Sequence, residues 1–334
     1  MPITTNATYH PVTVEFLAHW AQVNAVLSPQ PLVLQNGVLH GSLDAMKDEL
    51  QDAFQGVQSL LNGRQIARNT VSILRGVLME GLGALNMMVD TYYGGTIFDN
   101  TRPKMPGRGG NYQEFTDPMM DGKDLWARIE TQPPPTGIAF PLVLPVATPA
   151  LMGQPASPNM DLVQFTLVYD LHRLAYEQLR GLEKSLELMR RQRDMVMERI
   201  YEVLKNYRLG VGTRLPSAHA LLTTVPRLTP EKGHTPEPVN ASAVFVPPDQ
   251  AKVVFTASED SDLDHYELHG VPGEDWSAED AVVVASLPKT ADPREFITDF
   301  SLTQPGAAAA FAVYVVLGTG NVKGSAPMTV LRPA

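Results

Sequence analysis

Apolar residues recur at alternating spacings of four and three along a segment of roughly seventy residues that contains no proline. This spacing is that of a heptad seam, in which one stripe of a helix is buried along its length. The seam consists of Leu39, Leu43, Met46, Leu50, Ala53, Val57 and Leu60. The pattern predicts a first long helix over residues 36–91, several times the mean helix length of about 11–12 residues.

A second long helix is predicted over residues 159–207, where the same spacing returns with two polar members. Its seam consists of Leu171, Leu174, Gln178, Leu182, Leu186, Met189, Arg193, Val196, Ile200 and Val203. The other faces alternate acidic and basic residues, which is typical of the flanks of a coiled coil. Because each helix has an apolar stripe to bury, we expect the two to pack antiparallel in a long, elongated hairpin or bundle.

The glycines in the first long helix leave open whether it is one continuous helix or two. Gly56, Gly63, Gly76, Gly81 and Gly83 lie inside its pattern, and each costs about 0.5–1 kcal/mol relative to alanine. They either permit close approach of a neighbouring helix or mark a break near Asn62 that produces two antiparallel helices. We favour a single continuous helix. A shorter amphipathic helix is predicted before it, over residues 12–27.

The segments around the two long helices are rich in glycine or proline. Residues 94–118 are predicted to form a polar loop, and a short helix is predicted over residues 122–130. The apolar insert 133–158 contains Pro141, Pro145 and Pro149, which exclude a helix or a central strand, so we expect it to pack as extended chain. Residues 209–239 hold five prolines and are predicted to be an extended, semi-rigid connector with few apolar anchors.

From residue 240 onward the hydrophobic period changes from helical spacing to two. Six or seven short apolar segments separated by turn residues follow within about 95 residues, which is typical of a β-sandwich. The sequence therefore predicts three parts in chain order: a long-helix bundle domain at 1–208, the connector at 209–239, and a β-sandwich at 240–334.

The C-terminal part resembles a fibronectin type III domain. The shared features are a Pro-Pro pair near the first strand, the core strand around Val253, Tyr266 in the run DLDHYEL, and paired late strands around Tyr314 and Met328. Phe255 stands where the family usually has tryptophan, and no clear tyrosine corner precedes Ala312. The resemblance implies an immunoglobulin-like sandwich that serves as a spacer or binding module.

Charge and composition exclude or disfavour several classes of function. Of the formal net charge of −10, the part from 240 to 334 supplies most, with 13 acidic and 5 basic residues. An acidic surface repels phosphate backbones, so we expect no nucleic-acid partner. The absence of cysteine excludes disulfides, thiolate metal sites and cysteine nucleophiles.

The cellular location is not defined by the sequence. The first residues lack a basic region followed by an apolar one, so we expect no secretory signal peptide. No stretch reaches the roughly 18 uninterrupted apolar residues of a spanning helix. We therefore expect a cytoplasmic protein, or one that is exported or virion-associated by a route without a signal peptide.

We assign no catalytic, cofactor-binding or metal-binding residue from the sequence. The eight histidines are scattered: His10, His19, His40, His172, His219, His234, His265 and His269. The loop Gly107-Arg108-Gly109-Gly110 is either an anion cradle or, as we favour, a plain loop tip. Asp260, Asp262 and Asp264 either hold Ca²⁺ or, as we favour, form a solvated acidic loop.

Three functions are compatible with these patterns. We favour a non-enzymatic structural or interaction protein that assembles with itself or another protein through its long helices and presents the sandwich. The alternatives are a pore-forming or membrane-active protein that uses the apolar segment 137–153, and an enzyme on a helical scaffold without a recognisable motif. Three prolines in that segment disfavour insertion into a bilayer, so a membrane partner is not expected.

Overall fold

The computed structural model describes residues 2–107, 111–133, 135, 137–150 and 155–333. Its helices are α1 (Tyr9–Leu27), α2 (His40–Tyr93), α3 (Ile97–Asn100), α4 (Tyr112–Glu130), α5 (Leu162–Arg214) and α6 (Ala220–Thr223). Two 3₁₀ turns precede α1 and α2, at Asn6–Thr8 and Gln35–Gly37. The first long helix is continuous through Asn62 and Gly63, so the open question of one helix or two is answered in favour of one.

Eight strands follow the helices. They are β1 (Ala241–Val246), β2 (Gln250–Phe255), β3 (Leu263–Pro272), β4 (Val282–Pro288), β5 (Glu295–Thr298), β6 (Ala308–Leu317), β7 (Val322–Gly324) and β8 (Met328–Leu331). One antiparallel sheet has the order β1-β2-β5, and the other has the order β4-β3-β6-β7 with β8 also paired to β6. The predicted fold class, long helices followed by a two-sheet β-sandwich, is confirmed.

The chain forms two compact units whose boundaries fall inside α2 and α5. Unit 1 comprises residues 1–65 and 182–334, and unit 2 comprises residues 66–181. Unit 1 therefore contains α1, parts of both long helices and the whole sandwich. The three-part division by chain order describes the sequence of elements, whereas the units describe which elements are packed together.

The helical core of unit 1 is built from α1, the first part of α2 and the last part of α5. Trp20 of α1 is fully buried, and its ring lies 4.9 Å from that of Tyr207 on α5. The hydroxyl of Tyr207 is 2.6 Å from His19 Nδ1. Leu215 and Leu228 of the predicted connector are buried in this core, and residues 209–214 are still helical. The expectation of a connector with few apolar anchors was wrong, because the helix continues and leucines follow it.

The two long helices are antiparallel in each unit, as expected. In unit 1, Gly63 lies against Leu182, Gly56 against Met189, and Glu49 pairs with Arg199. In unit 2, a Cβ at Gly81 would come within 3.1 Å of the ring of Phe165. The glycines therefore allow close helix approach at these points, and they do not break the helix.

The core of unit 2 contains α4 and the apolar insert in addition to the two long helices. Leu142, Leu144 and Val146 of the insert are buried in it, and Leu144 and Met160 exchange backbone hydrogen bonds of 2.8 and 2.9 Å. The insert is thus packed extended chain, as predicted for the residues that the structure describes; residues 134, 136 and 151–154 lie outside them.

The predicted loop 94–118 and short helix 122–130 were wrong in their boundaries. Helix α4 begins at Tyr112, where Asn111 and Glu114 form a capping box: the Asn111 side chain accepts from the Glu114 N–H, and Glu114 accepts from the Asn111 N–H. This motif satisfies two free N–H groups at the helix start. Pro118, the last residue of the predicted loop, lies within the helix instead.

The seam residues are buried in the middle of each seam and exposed at one end. Leu43, Leu50, Ala53 and Val57 are buried in α2, whereas Leu39 precedes the helix and is exposed. In α5 the seam residues Leu186, Arg193, Val196, Ile200 and Val203 are buried, Met189 is half-buried, and Leu174 is exposed. The heptad pattern therefore marks the buried stripe correctly only where a partner element covers it.

We predict that Leu50→Asp strongly destabilises the protein, because Leu50 is fully buried in the helical core of unit 1. An unpaired charge there should lower the free energy of unfolding by several kcal/mol. Ile73→Asp, at an exposed position of the same helix, is the matched control and should change it by about 0.5 kcal/mol or less. Urea denaturation measures both, and equal effects would contradict the assigned burial.

Candidate functional site

A buried ion pair joins α5 to the loop between β3 and β4 within unit 1. Arg193 and Asp280 are 1% and 0% exposed, and Arg193 Nη1 donates to Asp280 Oδ1 at 3.1 Å. Arg190 donates to the same carboxylate, with its Nε 3.0 Å from Oδ1. Arg193 Nη1 also donates to the carbonyl of Glu279 at 2.8 Å.

An apolar cluster that includes Ala281, the chain neighbour of Asp280, lies beside this ion pair. Its buried members are Val57, Leu61, Leu186, Val271 and Ala281. Charges in such surroundings are stable only when they are paired and hydrogen-bonded. Arg193, which interrupts the predicted apolar seam of α5, therefore has a defined partner in the sandwich.

A second polar cluster lies on β3, where three side chains at alternate positions share one face. Glu267 accepts a hydrogen bond from His265 Nε2 at 3.2 Å and from His269 Nε2 at 2.8 Å. The ring of His269 stacks on Tyr314 of β6 with centroids 4.1 Å apart. The sequence analysis interpreted the histidines as scattered and did not recognise Glu267 as the common partner of His265 and His269.

The protonation of this cluster follows from its contacts. Burial by itself would raise the pKa of Glu267, but the hydrogen bonds from His265 and His269 outweigh burial and lower that pKa to about 2. The hydrogen bond to Glu267 raises the pKa of His265, against the opposing effect of burial. Glu267 is therefore an ionised carboxylate at neutral pH.

An open cavity of about 680 Å³ in unit 1 has Glu267 in its wall. We call it the helix–sheet cavity, because helix α2 supplies one side of it and strands β3 and β4 supply the other. Its wall includes Gln51, Phe54, Gln58, Glu267, Val282 and Phe300. Pockets that bind small molecules generally occupy about 300–1,000 Å³ and combine apolar walls with a few polar groups.

The three aspartates of the predicted acidic loop do not point to one centre. Asp260 accepts from His234 Nε2 at 2.8 Å and from Ser258, and Asp262 lies 3.6 Å from the same nitrogen. Asp264 instead pairs with His265 at 2.8 Å. His234, Asp260 and Asp262 have ligand atoms within 4.8 Å of one another, but Ca²⁺ requires six to eight oxygens. The histidine contact favours the interpretation of this loop as a hydrogen-bonded surface loop.

His172 of α5 is buried in unit 2 beside aromatic rings. It is stacked parallel to Tyr112 at 6.1 Å and lies 4.9 Å from the ring of Phe115. Burial, with a smaller contribution from the charge of Arg75, lowers the pKa of His172 to about 4. The loop Gly107–Gly110 lies outside the described residues from position 108 onward.

The similarity of this chain to known proteins is weak. No protein-family model and no curated protein matches the chain. A Fn3-like protein from Clostridium thermocellum is 15% identical with a TM-score of 0.24, covering 30% of this chain and 97% of that one. The FN1–FN3 domains of chicken CNTN1 are 9% identical with a TM-score of 0.24, covering 30% of this chain and 31% of that one.

A partial match to an enzyme also occurs. Pectate lyase PelI from Erwinia chrysanthemi is 17% identical with a TM-score of 0.24, covering 28% of this chain and 28% of that one. The chain thus spans little more than a quarter of the lyase. All these scores are low, so the assignment of the sandwich depends on the paired strands of this chain, with three strands in one sheet and five in the other.

Among the described residues, α2 is the one helix long and apolar enough to meet the length and composition test for a membrane span. Its most apolar window has a mean hydropathy of 1.2 and is 39% buried inside the protein. The core helix of a soluble protein passes the same test, so this one helix is weak evidence for a membrane span.

We predict that Arg193→Met lowers the free energy of unfolding by about 3–5 kcal/mol, because it leaves the carboxylate of Asp280 in an apolar cluster with Arg190 alone. The matched control is Arg191→Met, which removes only an exposed pair with Glu187 and should cost about 0–1 kcal/mol. Replacing Arg193 and Asp280 together by methionine and leucine should cost less than the single change. A double variant as unstable as the sum of both single variants would contradict direct coupling.

We predict that acid destabilises the protein through His172. The folded-state pKa of about 4 lies below the ordinary value of 6.5, so the stability that neutral His172 contributes is present above 6.5 and is lost as the pH falls toward 4. His172→Phe should retain the ring contacts and reduce this loss. Melting temperatures at pH 7 and pH 4.5 measure it; equal acid sensitivity of the variant and the parent would show that His172 is not responsible.

Proposed function

We propose that this protein is a non-enzymatic structural or interaction protein that associates with a second copy of itself through α5 and presents the sandwich as a binding or spacer domain. The observation that carries the proposal is a row of exposed apolar side chains on α5. Leu188, Met195 and Leu209 are 59%, 59% and 68% exposed, although each is a large hydrophobic side chain.

These residues occupy equivalent heptad positions: Met195 lies seven residues after Leu188, and Leu209 lies fourteen residues after Met195, with the exposed Glu202 at the position between them. A row with this spacing is what a partner helix covers in a coiled coil, since residues seven apart face nearly the same direction. The buried stripe of α5 thus faces its own unit, whereas this second row has no partner among the described residues.

A second copy is the occupant that the flanking charges favour. The exposed charges in and beside the row have both signs: Lys184, Arg191 and Lys205 are basic, and Glu198 and Glu202 are acidic. The same surface on another copy offers both signs in return, which suits a self-complementary, two-fold contact. A nucleic acid or a strongly charged partner would favour a row of one sign.

The membrane-active alternative is disfavoured by the packing of its proposed membrane segment. Leu142, Leu144 and Val146 are buried in the core of unit 2. Entry of segment 137–153 into a bilayer would expose the rest of that core to water. The enzyme alternative has no specific observation in its favour, and we propose that the protein turns over no small molecule.

We predict that the intact protein is a dimer or higher oligomer at micromolar concentration, and that the double variant Leu188→Glu with Met195→Glu is a monomer of about 36.5 kDa. Both side chains are exposed, so the fold should be preserved while the contact is lost. Size-exclusion chromatography with light scattering measures the mass of each.

The matched control is Ile297→Glu, which places the same charge at a 56% exposed position on the sandwich and should leave the oligomer intact. Circular dichroism checks that all variants retain their helix content. A monomeric parent protein would refute the proposal, and so would dissociation by Ile297→Glu alone.

A further inference from the structure

The exposed row of α5 contains a charged residue as well as its apolar ones. Glu202 occupies the heptad position between Met195 and Leu209 and is exposed; it lies 3.8 Å from Lys205 of the same helix. In a two-fold contact between parallel helices, equivalent heptad positions face each other, so Glu202 would face Glu202 of the second copy. Like charges placed opposite each other at a contact repel, and this disfavours a parallel arrangement.

An antiparallel two-fold contact pairs different positions of the row. The two facing residues then lie at equal distances on either side of the symmetry axis, so that each contact occurs twice. The midpoint of Leu188 and Met195 falls between Arg191 and Gln192. An axis at this point brings Leu188 of each copy against Met195 of the other, and both of these side chains are 59% exposed in the single chain.

The surface beside Met195 has room for a side chain of a second copy. Met195 lines an open groove of about 570 Å³ between α2 and α5. The wall of this groove also contains Ala53 and Val196, both of which are apolar and largely buried. A leucine that enters beside Met195 would therefore be removed from water on more than one side, which is how a side chain packs between helices in a coiled coil.

Two exposed charges on one flank of the row give the same position for the axis. Lys184 and Glu198 are two heptads apart, so they lie on the same side of the helix. Neither forms an ion pair within the part of the chain that the structure describes. Because equal flanks of two antiparallel helices face each other, an axis at residue 191, midway between 184 and 198, places Lys184 of each copy opposite Glu198 of the other.

The charge nearest to this axis has a partner within its own copy. Arg191 forms an i, i+4 ion pair with Glu187. Two such pairs on either side of the axis present both signs to each other, so the two arginines do not meet as isolated like charges.

Building on the self-association proposed above, we propose that the α5 helices of two copies lie antiparallel about a two-fold axis at residues 191–192. Leu188 of each copy contacts Met195 of the other, and Lys184 of each copy pairs with Glu198 of the other. The apolar contacts and the ion pairs support one and the same register, although they were located from different side chains.

Cysteine crosslinking of the full-length protein tests this register without background, because the chain contains no cysteine. Leu188→Cys and Met195→Cys are oxidised separately and as an equal mixture of the two variants. The mixture should form a disulfide-linked dimer. Each variant alone should form about tenfold less, because its two cysteines are separated along the helix by about seven residues, or roughly 10 Å.

The control for random collisions is Ile297→Cys, at an exposed position of the sandwich, and light scattering on the same samples separates two ways of failing. A monomeric parent protein would overturn self-association and the register with it. If the protein is an oligomer, the register alone is overturned when single variants crosslink as strongly as the mixture. It is equally overturned when no sample crosslinks more than the Ile297→Cys control.

A charge exchange tests the register independently of cysteine chemistry. Lys184→Glu and Glu198→Lys should each raise the dissociation constant about three- to tenfold at low salt, because each creates two pairs of like charges across the axis. The double variant should return it to within about twofold of the parent value, since the pairs are restored with their signs exchanged.

The matched control for the charge exchange is Glu183→Lys, an exposed position of α5 that is five residues from Leu188 and so on another face of the helix. It should leave the dissociation constant unchanged. Sedimentation velocity over a dilution series measures all four variants. Additive weakening in the double variant, without recovery, would overturn the pairing of Lys184 with Glu198.

Discussion

The pairing of Asp280 with Arg193 is the interaction on which unit 1 most depends. A charge at this depth is tolerated only because the partner is fixed at the same depth, and the partner belongs to a helix whereas the aspartate belongs to a sandwich loop. The loop also binds Gln58 of α2 and Asn6 near the N-terminus through backbone carbonyls. One short loop thus ties three distant parts of the chain together, and the sandwich is integrated with the helices.

Much of the fold could be predicted from the sequence because its long helices and short strands have strong local periodicities. The heptad spacing located α2 and α5 to within a few residues at most ends, and the change of period located the sandwich. What local patterns could not show was which side of a helix would be covered. Leu174 and Leu186 belong to the same predicted seam, yet only Leu186 is buried, because coverage is decided by elements far away in the chain.

The candidate sites were harder to predict for the same reason. Arg193 was visible as a polar residue in an apolar seam, but its partner lies 87 positions away and no spacing rule connects them. The alternation His265-x-Glu267-x-His269 places all three side chains on one face of a strand, but the histidines were interpreted as scattered. The cavity beside Glu267 depends on residues of α2 and β4 that are brought together only by the tertiary structure. The capping box at Asn111, in contrast, is a local pattern, and the sequence alone was sufficient to predict the helix start there.

The interrupted course of unit 1 along the chain has a consequence during synthesis. His19 and Tyr207, which are hydrogen-bonded in its core, are separated by 188 positions. At roughly 5–20 residues per second, a ribosome needs on the order of ten seconds or more to bridge that interval. Throughout this time the apolar face of α1 has been made, but α5, one of the two long helices that cover it, has not been completed. Residues 66–181 are all synthesised before Tyr207, so unit 2 can complete its core before unit 1 does. The nascent chain therefore passes through a stage in which unit 2 is folded while α1 still exposes part of its apolar face. A chaperone that covers apolar surface would act at this stage.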